Sequence, residues 1–174
     1  MSSTDTDRLQ AMALRLERLD AAQAARNTLG RYMQLCDVPC GDCGALGLAD
    51  LFSDDAVWEG VGPLYAGKFG RHQGPAAIAA FVGSYLAPSP HFTRNLHFLT
   101  SEQLDVDADC RRARGRWLML QLSTYGAGGA EAITARLAVD FVPGPDGRWL
   151  IAHFRTERLE CAPWHDGAAR EVAS

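Results

Sequence analysis

The chain has 174 residues, 47% of them hydrophobic, and a formal net charge of −4. That length suits one domain with its own core, the composition excludes a disordered chain, and the mild acidity gives no reason to expect a nucleic-acid partner. No run reaches the roughly 18 apolar residues of a membrane span, and the leading MSSTDTDRLQ has no basic segment running into an apolar one, so neither a membrane partner nor a secretory leader is expected.

Residues 5–37 read as helix. Leu9, Met12, Leu16 and Leu19 recur at three- and four-residue steps, the spacing of an apolar helical face. Asp20 is placed to cap a second segment bearing Leu29, Tyr32, Met33 and Cys36, and Pro39 and Gly41 end it. GALGLADLF (44–52) reads as a short helix and AVWEGVG (56–62) as a strand, followed by a Gly-rich turn and a short strand near Lys68. GPAAIAAFVGSYLA (74–87) is a helix with proline in its first turn, where the missing N–H does no harm. Then the texture changes. Residues 91–106, 112–125, 131–142 and 148–159 read as four long strands separated by the turns DADC, GAGG and PGPDG. Hairpin-length connections predict antiparallel pairing. The basic run RRARGR (111–116) lies in one of these strands and reads as a solvated face. The tail after Pro163 is expected to be loosely attached. Helices first and strands afterwards predict an α+β fold, a curved antiparallel sheet with helices packed on one face.

Cys36, Cys40 and Cys43 are spaced C-x3-C-x2-C, the spacing of a radical-SAM iron–sulfur motif. Such an enzyme needs alternating β and α units, which this order lacks, and Asp42 stands where the motif places an aromatic residue. The expectation is that Cys36 is a small core residue, Cys40 and Cys43 are loop thiols, and no metal is held. Five cysteines without a leader suit a cytoplasmic protein with free thiols.

Asp37 ends an otherwise apolar helix face, so its carboxylate must reach water or a partner. Tyr32, five residues earlier, stands about 140° round the helix, and both residues can border one cavity at the helix end. On the first long strand, alternation puts His91, Thr93, Asn95 and His97 on one face. An imidazole there suits general base or acid work near neutral pH. Arg136 shares a face with Thr134 and Ala138, which leaves room for a ligand or for a solvent-facing ion pair. Trp58 is either a pocket wall or ordinary core. There is no phosphate-binding loop, no G-x-S-x-G and no H-E-x-x-H.

Tyr32–Asp37, LADLFSDDAVWEG (48–60), GPAAIAAFV (74–82), HFTRN (91–95) and DGRWLIAHFR (146–155) together resemble the SnoaL-like members of the nuclear transport factor 2 superfamily, and within them the scytalone dehydratase branch. The resemblance covers about residues 15–160 of a single domain spanning 1–174. It implies a cone-shaped α+β barrel, in which a strongly curved antiparallel sheet wraps round the N-terminal helices and a pocket. In scytalone dehydratase and its dehydrochlorinase relatives, a helix aspartate orients a strand histidine that removes a proton as a leaving group departs, with no metal or organic cofactor. By motif these residues fall on Asp37 and His91. Tyr32 matches a tyrosine of bile-acid dehydratases, and a substrate-holding asparagine of scytalone dehydratase falls near Arg136. The dehydratase's second histidine falls on Arg116 or Trp117, its tyrosine beside the aspartate on Cys36, and the base of the ketosteroid isomerases on Gly60, next to Glu59.

The resemblance therefore implies a cofactor-independent lyase or dehydratase acting on a hydrophobic, aromatic or polycyclic small molecule. His91 would be the base, Asp37 its orienting carboxylate and Tyr32 an acid or oxyanion donor, with Trp58, Asn95, Arg116 and Arg136 as substrate-binding residues. An isomerase or carbon–carbon lyase needs similar parts. A non-catalytic ligand carrier, an accessory subunit like those of ring-hydroxylating dioxygenases, or an oligomerisation domain with a filled cone are the alternatives. Leu118, Leu120 and Leu122 on the convex face predict a homo-oligomer, dimer or trimer.

Overall fold

The segment DAAQAARNTLGRYMQLC is dense in strong helix formers, and Asp20 does not interrupt it. One helix, α1, runs unbroken from Ser3 to Cys36 in the computed structural model, which describes residues 3–40, 46–86 and 91–164. The expected break at Asp20 is absent, because the alanines that follow favour continuing the helix over capping a new one. Its second half is the buried half. Ala21, Ala25, Leu29, Tyr32 and Cys36 repeat at the helical period and are all under 8% exposed. Leu9, Met12, Leu16 and Leu19, the stripe that most resembles a core face, are instead 54–61% exposed. Sheet contact begins only where the Arg18 guanidinium donates to the Val106 carbonyl at 2.9 Å.

After α1 the chain makes one 3-10 turn (Ala49–Leu51) where a longer helix was expected, and enters β1 (Phe52–Val61). Then follow α2 (Gly62–Phe69), β2 (Arg71–Gln73) and α3 (Pro75–Gly83). The Gly-rich segment expected to be a turn is α2, with Pro63 in its first turn. Four long strands complete the fold: β3 (Phe92–Val106), β4 (Ala113–Tyr125), β5 (Ala130–Pro143) and β6 (Trp149–Pro163). The sheet order is β2-β1-β6-β5-β4-β3. The hairpins pair antiparallel as predicted, but β1 lies parallel to β6. The sheet is therefore mixed and open rather than wholly antiparallel. The tail beyond Trp164 lies outside the described residues.

Register shifts at Phe92/Arg94 and Thr100/Gln103 in β3, and at Thr134/Ala135 and Asp140/Phe141 between β5 and β6, bend the sheet round α1. An extra residue on one strand of a pair raises local twist and curvature. On the concave side Trp117, Leu137, Val139, Phe141, Ile151 and Phe154 are all under 5% exposed and meet α1.

Gly115 is a strand glycine forced by this curvature. A Cβ there would lie 1.9 Å from the Trp117 ring, which folds back over it and donates through Nε1 to Glu102 Oε2 at 3.2 Å. Gly115→Ala must displace a buried indole, and overpacking of that kind costs roughly 1–3 kcal/mol. A lowered urea midpoint is expected, and an unchanged midpoint would mean that the ring moves freely.

Candidate functional site

The bend leaves a cavity of about 160 Å³ between α1, α2, α3 and the concave sheet. Its walls are rich in aromatic rings, with Tyr32, Trp58, Phe69, Phe81 and Phe154 among them. Trp58 stacks parallel on Phe154 at 5.8 Å and leans on Phe81 at 5.0 Å, so β1 places it as the pocket wall anticipated from AVWEGVG. Its indole N–H donates to the Tyr32 hydroxyl at 2.9 Å.

Tyr32 and Cys36 lie one helical turn apart, both lining the cavity and both buried. Burial holds the Tyr32 hydroxyl protonated well above its ordinary range; nearby Cys36 adds to this, and the Trp58 N–H opposes it. Burial likewise pushes the Cys36 thiol from 9.0 up to about 12, against the Tyr32 hydrogen bond, which lowers it. A folded pKa above the unfolded one stabilises fully below the unfolded value and is lost as pH rises through the folded one. Cys36 therefore makes the protein less stable as pH climbs from 9 toward 12, by up to about 1.4 kcal/mol per pH unit. Thermal melts across that range should fall more steeply for the natural protein than for Cys36→Ala; parallel curves would refute it.

α1 ends at Cys36 and hands the chain to β3. Val38 N donates to Asn95 O at 2.8 Å, and Asn95 N returns to Val38 O at 2.9 Å. This single bridge sets Asp37 against the middle of β3. One oxygen of Asp37, Oδ1, accepts from the His97 backbone N–H at 3.0 Å and from His97 Nδ1 at 2.8 Å. The carboxylate is not among the cavity-lining residues; the imidazole is. With Nδ1–H given to Asp37, the tautomer this bond selects leaves the Nε2 lone pair as the acceptor of the ring.

The histidine that meets Asp37 is thus His97, not His91. The alternation expected from His91 to His97 is broken by the extra residue between Phe92, opposite Tyr125, and Arg94, opposite Thr124. His91 lines the cavity as well, at its exposed rim, 5.2 Å from Tyr85 and 5.6 Å from Tyr125 between ring centres. Asn95 lines the cavity but is 3% exposed and its side chain is committed to protein. Nδ2 donates to the Cys36 carbonyl at 3.2 Å, and Oδ1 accepts from Gln121 and Ser123, both at 2.8 Å.

Arg116 and Arg136 lie on the convex face, away from the cavity. Arg136 pairs with Glu157 at 2.7 Å. Arg116 borders an outer cleft with Asp140 and Arg155. The physical reason is parity: Trp117, Met119 and Leu137 point inward, so their sequence neighbours point out. Arg158, absent from the sequence candidates, does line the cavity, as do Lys68, Gln121, Tyr125 and Glu131. Its signal was its even spacing from Phe154 along β6.

Among the described residues no group of three His, Cys, Asp or Glu side chains is placed to hold a metal ion. Cys36, Cys110 and Cys161 are free thiols, whereas Cys40, expected as a loop thiol, is disulfide-bonded. Cys43 lies outside the described residues. No helix is long and apolar enough to cross a membrane.

No curated protein matches the chain in sequence. Among solved structures it is similar to a hexachlorocyclohexane dehydrochlorinase (LinA) of type 2, with 20% identity over 86% of this chain and 93% of that one, and a TM-score of 0.69. It is also similar to a scytalone dehydratase assigned by homology in Novosphingobium aromaticivorans (16% identity, 93% and 92% covered, TM-score 0.63). ActVI-ORFA of Streptomyces coelicolor shares the fold as well (16% identity, 78% and 95% covered, TM-score 0.57). With residues 17–155 matching its sequence pattern and an open, bent sheet wrapped round α1, the chain belongs to the SnoaL-like domain family, within the nuclear transport factor 2 superfamily.

Proposed function

We propose that the protein is a cofactor-independent acid/base lyase, dehydratase-like in chemistry, acting on a hydrophobic cyclic small molecule. The observation that carries this is the Asp37–His97 hydrogen bond at 2.8 Å on the wall of an aromatic cavity. In this scheme His97 Nε2 takes a proton from the carbon beside an electron-withdrawing group, and the leaving group departs from the neighbouring carbon. Asp37 holds the tautomer and stabilises the imidazolium that forms. The protonated Tyr32 hydroxyl and the Gln121 amide line the same cavity. Similarity in fold to a dehydrochlorinase and to a scytalone dehydratase homologue supports elimination over carrier function, and so does a cavity-lining imidazole held by a half-buried carboxylate behind it, which a carrier has no need of.

The test is a panel of cyclic ketones carrying a hydroxyl or halide β to the carbonyl, incubated with the protein in D₂O. Leaving-group release together with formation of the α,β-unsaturated ketone is expected. Deuterium entry without release would favour an isomerase of the same fold. Neither event, with saturable binding of the same compounds, would favour the ligand carrier.

A further inference from the structure

Arg158 lines the cavity from β6. It follows Phe154 and Thr156 on the concave side of β6, just before an extra residue, Leu159, breaks the register with β5. Its guanidinium lies 5.6 Å over the Tyr65 ring, and its Nε–H is buried without a hydrogen-bond partner. It makes no ion pair among the described residues. Lys68, at the same end, packs its ammonium 5.3 Å from the centre of the Phe69 ring and is likewise unpaired among them. The acid between these groups, Glu131, accepts the Tyr125 hydroxyl at 2.6 Å. Two cations and one occupied carboxylate leave this end positive inside an apolar wall.

We infer that this end is a carboxylate subsite, so that the substrates are hydrophobic carboxylic acids. A guanidinium held over an aromatic ring offers Nε–H and one Nη–H side by side, the spacing of two carboxylate oxygens. A buried Nε–H with no partner is a donor held ready for an acceptor that the protein does not supply. β3 and β6 are separated by β4 and β5, three strand spacings or roughly 14 Å along the sheet and less across its bend. His97 and Arg158 both line the cavity, so a ring system with its acid group on Arg158 can reach His97 with its far side. The inference rests on the lyase proposed above only for what happens at that far side.

Binding, not turnover, tests it. The probes are 2-naphthoate and its neutral isostere 2-naphthamide, titrated calorimetrically into the full-length protein. The acid is expected to bind at least about tenfold more tightly, the worth of a charge-assisted pair. Arg158→Gln should remove that preference, and Arg158→Lys, which keeps the charge but loses the fork, should retain part of it. Equal affinity for the two probes, no saturable binding of the acid, or an undiminished preference in both variants would overturn the assignment. A protein that prefers the acid but eliminates nothing from the ketone panel refutes the lyase and leaves the subsite standing. One that eliminates without acid preference does the reverse.

Discussion

His97→Gln is expected to lower kcat by about 10²–10⁴-fold, the range general base catalysis supplies, with little change in KM. Glutamine keeps much of the volume and can still bond Asp37, so the cavity should survive while the proton acceptor is lost. Asp37→Asn is expected to lower kcat by a similar order for a different reason. An amide nitrogen turned toward His97 Nδ1 removes the acceptor that holds N–H on that side, so the ring can present the wrong tautomer to the cavity. Asp37 is a positioning residue, and the split between kcat and KM separates it from a merely structural role: kcat should fall in Asp37→Asn while KM stays nearly unchanged. His91→Gln is the control, because His91 is an exposed rim residue and should alter KM at most. Full turnover in His97→Gln, or a loss as large in His91→Gln, would end the case for an Asp37–His97 base. If Asp37→Asn binds the ketones unchanged and the natural protein never turns them over, the carrier is the better description.

Asn95→Ala is expected to be the most destabilising polar substitution near the cavity, at roughly 2–4 kcal/mol. Asn95 links four groups on three elements: the Cys36 carbonyl at the end of α1, Gln121 and Ser123 on β4, and through its backbone Val38. Truncation strands the carbonyl and the Ser123 hydroxyl, which is 1% exposed, where water cannot readily replace the lost bonds. Asn95→Asp should be no better. It turns the donor that faces the Cys36 carbonyl into an acceptor and buries a charge without a partner. Because the same residue seats Asp37 beside His97, kcat should fall in Asn95→Ala although no reacting group is removed. Urea denaturation followed by tryptophan fluorescence reads the first effect and the elimination assay the second. A shift within about 0.5 kcal/mol, the ordinary range for surface changes, would show that the network is dispensable.

Much of the fold was legible because the relevant signals are local. Period-two alternation and turn residues placed the four long strands to within a few residues, and the Asp37 carboxylate stood out as a charge ending an apolar helix face. Alternation also sorted residues correctly along β5, grouping Arg136 with Ala138 and apart from Leu137 and Val139. What it cannot express is which of the two faces becomes concave. That depends on the sheet bending toward α1, and it sent Arg116 and Arg136 outward and Arg158 inward. The helix in GPLYAGKF was hidden by its glycines, since α2 is held by packing on β1 and β6 rather than by propensity.

The identity of Asp37's partner was a tertiary decision as well. Two histidines six residues apart share one face if a strand is regular, and the first opened the motif that resembled the family. One extra residue near Thr93 shifted the frame, and the bridge between Val38 and Asn95 set the carboxylate opposite the second. By itself the sequence determined that this chain makes an α+β cone with an acid at the end of its buried helix. Only the folded sheet, through its bulges and the direction of its curvature, decided that the acid holds His97 and that an arginine with no ion pair among the described residues lines the same cavity.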